Sequence, residues 1–419
     1  MSQTTPSATL PARPNVVLAM LLLVYVFNFV DRQILAILAG SIQRDLHLSD
    51  GQRGLLGGLA FALLYSTLGV PLAWLADRTS RSWVITVSLA LWSGFTALCG
   101  FAQGFWHIFL ARLGVGIGEA GGVAPSYALI ADYFPAHRRA FALSVYSLGI
   151  PLGSAAGVLA GGYIAAMVDW RAAFVAVGLA GILVAPLFKL TVRDVPKPAL
   201  TDAEPAPRFR VIAGTLARKP SFWLLSFGAA TSSMLGYGIA FWLPSLLQRS
   251  FGLSLVEVSH FIGAMLLLGG VAGMLLGGWL GDRLGSGDRA FLAYLPAVAF
   301  VIGVPLFAAG IYSSDARLAF VLFLVPQAMA YVWLGPVLSA VQMLVPPAQR
   351  STASALFLLI NNLIGLGGGI FALGALSEAL TPTYGQDALR YSMLYSLGLY
   401  LVSAVLMTLA GPRLRRDCA

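Results

Sequence analysis

Residues 16–40 read VVLAMLLLVYVFNFVDRQILAILAG. As an α-helix this stretch is roughly 37 Å long at 1.5 Å per residue, more than the ~30 Å hydrocarbon core of a bilayer. Its only charges are Asp31 and Arg32. A cleavable leader would end in small residues after a short apolar core. This run instead passes through Asp31-Arg32 and stays apolar to Gly40, so it reads as a retained spanning helix.

The same pattern fills the chain. Of 419 residues, 58% are hydrophobic and 10% charged, whereas a water-soluble domain carries about 25% charge. Apolar runs of spanning length recur at 15–40, 53–76, 82–104, 106–131, 139–166, 170–190, 221–247, 257–281, 289–312, 317–344, 351–376 and 389–411. The expected fold is an all-α membrane protein of twelve transmembrane helices. The one long polar segment, residues 193–219, holds Val195-Pro196-Lys197-Pro198 and Glu204-Pro205-Ala206-Pro207-Arg208. Proline and charge mark a linker. It divides a six-helix half at 1–192 from a second at 220–419.

Net charge is +9, but the basic residues are scattered over short gaps and form no continuous face for nucleic acid. They report orientation instead. With the N-terminus inside, 18 of the 26 Lys and Arg residues fall on inner segments. Arg44, Arg53, Arg171, Arg249, Arg317 and Arg390 fall on outer ones. Both termini are therefore expected in the cytoplasm. Cys99 and Cys418 are too differently placed to pair, and the four histidines lack ligand spacing. Gly116-x-Gly118-x-x-Gly121 matches a dinucleotide fingerprint but follows no strand. Small residues that let helices approach closely account for it, as for Gly149, Gly153, Gly157 and Gly161. No cofactor and no metal is expected. Asp132 and His137 belong to a repeated loop, so an enzyme is not expected either. No phosphate-binding loop of the G-x-x-x-x-G-K-[ST] kind is present.

The halves repeat. Trp74-Leu75-Ala76-Asp77-Arg78 returns as Trp279-Leu280-Gly281-Asp282-Arg283, 205 residues later. Pro135-Ala136-His137-Arg138 returns as Pro347-Ala348-Gln349-Arg350, 212 later. Duplicated six-helix halves place a binding site between them near the bilayer midplane.

Asp31, Arg32, Arg112 and Glu119 lie inside predicted helices. An ionisable group at mid-bilayer costs about 2.5–3.5 kcal/mol, so it faces a cavity and has a partner. Asp31 and Arg112 lie at similar depth from the outer side. Arg112 and Glu119, seven apart, share a face about 10 Å apart, with Gly116 between them expected to leave that face open. Two readings fit: a fixed ion pair joining the first and fourth helices, or proton coupling with headgroup binding. In the second, Asp31 or Glu119 carries the proton. Arg32 and Arg112, which do not lose theirs, contact an anionic group or poise the carboxylates.

These motifs resemble the major facilitator superfamily over essentially the whole chain. Its G-x-x-x-D-R-x-G-R-R loop is matched by Asp77, Arg78 and Arg81, with Ala73 and Ser80 replacing glycines. The second copy keeps Gly278, Asp282, Arg283 and Gly285. The resemblance implies that Asp77, Arg78, Arg81, Asp282 and Arg283 form an inner gate, with Arg138 and Arg350 in matching parts. Two patches, Asn28-Phe29-Val30-Asp31-Arg32 and Arg112-x6-Glu119-Ala120-Gly121 with Pro125-Ser126, are similar to the spinster group of sphingolipid and lysophospholipid transporters. They occur more loosely in organic-anion symporters. The implied function is proton-coupled alternating-access transport by a monomer in a bacterial inner membrane.

The second half has no comparable buried charge. Its polar interior candidates are Gln327, Gln342, Asn361 and Asn362, among aromatics Tyr237, Trp242, Tyr331 and Trp333. One charged half facing one greasy half suggests an amphipathic substrate, a lysolipid or sphingolipid-like molecule. It is contacted by Asn28, Arg32, Arg112, Ser126, Tyr237, Trp333, Asn361 and Asn362. The alternatives are a small organic anion taken up with protons, or multidrug efflux. The expected partners are the bilayer, that solute and protons.

Overall fold

The computed structural model describes residues 13–195, 209–346 and 349–417. The proline-rich stretch at 196–208 and Cys418 lie outside the described residues. So do the side chains of Asp77, His137, Arg139 and Asp282.

Ten described stretches are long and apolar enough to cross a membrane. One, Thr352–Asp417, has 66 residues, roughly 100 Å of helix, far too long for one crossing. It turns at Gly385, whose φ of 55° is open to glycine, and so makes two passes. Asp50–Gly57 and Leu59–Arg78 together supply another. Counted this way, the described residues hold twelve candidate passes. They are α1 Pro14–Leu46, α2 Asp50–Gly57 with Leu59–Arg78, α3 Arg81–Cys99 and α4 Phe105–Tyr133. Next come α5 Ala136–Ser147 with Gly149–Met167, α6 Trp170–Thr191, α7 Pro220–Phe251 and α8 Leu255–Gly285. The last four are α9 Phe291–Tyr312, α10 Ala316–Met343, α11 Arg350–Asn361 continued to Tyr384, and α12 Ala388–Ser396 with Gly398–Asp417. We call the side bearing both chain ends inner and the opposite side outer.

Three local features depart from the sequence expectation. The segment expected to be wholly linker contains a helix, Phe209–Ala217, whose Ile212 and Leu216 are buried. Several passes are interrupted: α2 breaks at Gly58, and α8 and α11 each contain a π-helical segment, Leu266–Gly270 and Asn362–Gly368. Helix α11 also runs on to Tyr384, past the expected end at 376.

The outer turns extend the repeat. Gln43-Arg44 and Leu48-Ser49 return as Gln248-Arg249 and Leu253-Ser254, again 205 later. Helices α1 and α7 both begin with proline at the first position, which needs no amide hydrogen. Both end on a left-handed cap, His47 and Gly252. Helices α2 and α8 both open with a capping box, Ser49 with Gln52 and Ser254 with Glu257. Packing repeats too. A Cβ on Gly157 would come within 2.7 Å of the Val30 carbonyl, and one on Gly369 within 2.1 Å of the Met234 carbonyl. Glycine at these sites, 212 residues apart, lets α5 lie against α1 and α11 against α7.

At the inner end of the first half, Asp194 ties α6 to α3. It accepts from the Ser82 amide at 3.0 Å, the Ser82 hydroxyl at 2.8 Å and the Ser80 hydroxyl. Burial raises its pKa, but these bonds and Lys189 outweigh burial and hold it below the usual carboxylate range. A depressed folded pKa contributes stability above the unfolded value of about 3.9 and loses it as pH falls through the folded value. Asp194→Asn is therefore expected to lower the melting temperature at pH 7, with the gap to wild type narrowing as pH falls below about 4. Thermal unfolding across that range checks this, and a gap independent of pH would contradict it.

Candidate functional site

Asn28, Asp31 and Arg32 sit at i, i+3 and i+4 on α1 and share one face. Arg112 and Glu119 sit two turns apart on α4. The two helices bring their charges together as crossed pairs. Arg112 Nη1 donates to Asp31 Oδ2 at 3.2 Å, and Arg32 Nε to Glu119 Oε2 at 2.9 Å. The Asn28 amide donates to the same Glu119 oxygen at 2.7 Å, and the Thr96 hydroxyl of α3 donates to Asp31 Oδ1. Asp31, Arg112 and Glu119 are at most 2% exposed. Removal from water is costly, and pairing is what makes it tolerable. The four charges sum to zero. Even so, Glu119 Oε1, Asn28 Oδ1 and Arg112 Nε are buried without a partner, each an unmet demand of about 1–3 kcal/mol. The cluster is thus held together but incompletely satisfied.

Arg32 is the most exposed of the four charged members and faces a cavity. Its guanidinium lies 5.1 Å from the centre of the Phe29 ring, 4.8 Å from Phe61 and 4.6 Å from Tyr65, a cation–π cage. It lines a cleft between the halves with Gln33, Phe61 and Arg112 on one side. Tyr237, Phe241, Leu366 and Ile370 line the other. An aromatic stack leads away from it toward the inner side: Phe29 meets Tyr25 at 5.2 Å, Tyr25 meets Tyr146 at 4.2 Å, and Tyr146 meets Tyr127 at 5.6 Å.

Several expected residues are placed elsewhere. Gly116 does not leave an open face: its absent Cβ would lie 2.6 Å from the Phe61 carbonyl, so the glycine lets α4 pack on α2. Ser126 donates to the Gly122 carbonyl at 2.7 Å on its own helix. Asn361 is buried and accepts from Ser233 at 2.9 Å, joining α11 to α7. Asn362 is half-buried in the π segment. Trp333 is buried beside Phe357. Gln342 donates to Ser354 at 3.0 Å. Of the residues expected in the second half, Tyr237 alone lines the cleft with Arg32.

At the inner end, Arg78 lies 3.8 Å from the ring centre of Trp74, and Arg283 lies 5.3 Å from that of Trp279. The repeated tryptophan is thus a cation–π seat for the repeated arginine four residues on. Arg81 pairs with Asp132 of α4, and Arg138 is exposed. The side chains of Asp77 and Asp282 lie outside the described residues.

The outer end joins the halves. Arg249 of α7 reaches Asp50 at 2.7 and 2.8 Å and Gln43 at 2.8 Å. Ser377 of α11 donates to Asp50 at 2.9 Å. Glu378 accepts from Ser49 at 2.9 Å and the Gly51 amide at 2.8 Å. Tyr163 of α5 meets His260 of α8 at 2.6 Å. Arg53, which by sequence falls on an outer segment, is 1% exposed. The repeated Gln-Arg pair was the available signal for this network.

A model of the Major Facilitator Superfamily matches residues 21–370. The chain is 36% identical over 413 residues to an MFS-type efflux pump of Mycolicibacterium smegmatis, with 97% of this chain and 95% of the pump covered. It is 27% identical over 428 residues to protein spinster homolog 1 of Homo sapiens, covering 92% and 78% of the two. Among solved structures, it superposes on a bacterial homolog of the human lysosomal transporter spinster, described as inward-facing and unoccupied. The TM-score is 0.89 and the identity 29%, with 98% of this chain and 99% of that one covered.

Proposed function

Since the chain belongs to the Major Facilitator Superfamily, we propose that it is a proton-coupled, alternating-access carrier of an amphipathic lysolipid or sphingolipid-like substrate. Residues 1–192 and 220–419 act as the two rocking bodies about the linker at 193–219. The carrier works as a monomer in a bacterial inner membrane with both ends cytoplasmic. The split of Lys and Arg between segments supports that orientation.

The observation that carries this reading is the composition of the cleft. One wall presents Arg32 in an aromatic cage beside Arg112, and the other presents Tyr237, Phe241, Leu366 and Ile370. A charged head meets the first wall and an apolar tail the second. Glu119 and Asp31 are the proton carriers, because each is paired with an arginine that cannot follow it in changing charge. The contacts joining the halves at the outer end support a state open to the inner side. In that state Arg78 and Arg283 rest on Trp74 and Trp279.

A thermal-shift screen of lysophospholipids, sphingosine derivatives and carboxylate metabolites tests the substrate class. At a hundredfold above its dissociation constant a ligand stabilises by about 2.7 kcal/mol. Lysolipids are expected to stabilise the wild type and to lose that effect with Arg32→Gln. Stabilisation by carboxylates alone would reject the lipid reading. Efflux of varied amphiphiles is the second reading, supported by the name of the M. smegmatis relative; stabilisation by unrelated cationic drugs would favour it.

A further inference from the structure

Arg53 is a buried charge that the proton and substrate chemistry above does not use. Its fork is divided between the halves. Nη1 donates to Gln43 at 2.7 Å and to Asp50 at 3.1 Å, both in its own half. Nη2 donates to the Ser245 hydroxyl of α7 at 2.5 Å, and the guanidinium lies 4.6 Å from the ring centre of Trp242. Trp242 is itself fixed by its indole N–H on the Ile370 carbonyl of α11 at 3.0 Å. One side chain of the first half is therefore seated between two helices of the second.

The repeat shows that the turn does not need this charge to fold. The equivalent α7–α8 turn keeps the Gln-Arg pair, the left-handed cap and the capping box. Yet 205 residues after Asp50 and Arg53 stand Leu255 and Val258, and Val258 is buried. Asp50 and Arg53, which the second turn lacks, both bond across to the other half, Asp50 to Arg249 and Ser377 and Arg53 to Ser245. Arg53 also lies one turn from Gly57, and a Cβ on Gly57 would come within 2.4 Å of the Phe241 ring. Gly57, Phe241 and Ile370 all line the cleft, so the seat of Arg53 is the layer directly outside it.

We propose that Arg53 is the positioning residue of an outer latch. Seated on Ser245 and Trp242 it closes the cleft to the outer side, and its withdrawal opens the cleft there. The chemistry suits a latch. Arginine cannot escape burial by losing its proton. When α7 recedes, the guanidinium must pass into water, and its hydration offsets the bonds given up. Closed and open arrangements are then close in free energy, as a device that cycles requires. This inference rests on the alternating-access reading.

The test uses Cys99→Ala, Cys418→Ser protein in membrane vesicles, with Ala240→Cys in the cleft as outer reporter. Tyr127→Cys, on the inner part of α4 at a position 42% exposed, is the inner reporter. A membrane-impermeant maleimide is applied to one side at a time. Arg53→Met is expected to raise outer labelling roughly tenfold, within the usual range of coupling between sites, and to slow inner labelling. Arg53→Lys should fall between, and Arg44→Met should match wild type. Should Arg53→Met fail to fold, Ser245→Ala and Arg249→Gln carry the test, each with a smaller reciprocal change. A folded Arg53→Met protein with unchanged labelling, or faster labelling from both sides, overturns the latch. If the wild-type reporters never change reciprocally under an imposed pH gradient, alternating access itself fails. If they do and Arg53→Met changes nothing, the latch alone fails.

Discussion

Glu119→Gln is expected to remove proton-driven accumulation while leaving exchange of substrate across the membrane intact. A pH difference of one unit is worth about 1.4 kcal/mol per proton, so a carrier coupled to one proton concentrates its substrate about tenfold. Without coupling the ratio settles at one. Glutamine preserves the shape of the site: its carbonyl oxygen still accepts from Asn28 and Arg32, which bond Glu119 at 2.7 and 2.9 Å. What it lacks is a group that can gain and lose a proton. Asp31→Asn is the companion experiment, since Asp31 is the other buried carboxylate of the cluster. Uptake into proteoliposomes under an imposed gradient, set against counterflow with no gradient, separates driving from carrying. If both variants still accumulate substrate like the wild type, neither carboxylate couples transport to protons.

The second large effect is on stability. Arg112→Ala leaves Asp31 buried and unpaired, with only Thr96 still bonded to it. Breaking a buried pair from one side costs about 3–5 kcal/mol. Replacing both partners by neutral groups of similar size is often near neutral. Arg112→Met with Asp31→Asn should therefore be markedly more stable than Arg112→Ala, although it removes more charge. Unfolding in detergent for the single and double variants measures the difference. A double variant no better than the single would mean that the pair is not the source of the loss.

Much of the architecture was legible because lipid leaves few options. A backbone crossing hydrocarbon must satisfy its own hydrogen bonds, so apolar runs of spanning length read directly as helices. The repeat of Trp-Leu-x-Asp-Arg at 205 residues divided them into halves. The interruptions at Gly58 and in the two π segments were not legible, since they follow from where one helix meets another. In the site, Asp31, Arg32, Arg112 and Glu119 stood out as charges in apolar sequence, and equal depth joined Asp31 to Arg112. Thr96 did not stand out, because a threonine in a helix is ordinarily satisfied by its own backbone. Asn28 was expected against substrate, yet its amide is spent on Glu119. Arg53 was hidden by position: a charge at a helix end reads as solvated, and only the packing of α7 and α11 over it shows otherwise.

The most direct test of the carrier reading uses wild-type protein in liposomes loaded with a pH-sensitive dye and no initial gradient. Adding a ligand that stabilises the protein in the thermal-shift screen should move protons across the membrane as the ligand crosses. That movement should saturate with ligand and be absent with Glu119→Gln. Ligand transport with no accompanying change in lumenal pH would contradict the proposal that the buried charge cluster couples transport to protons.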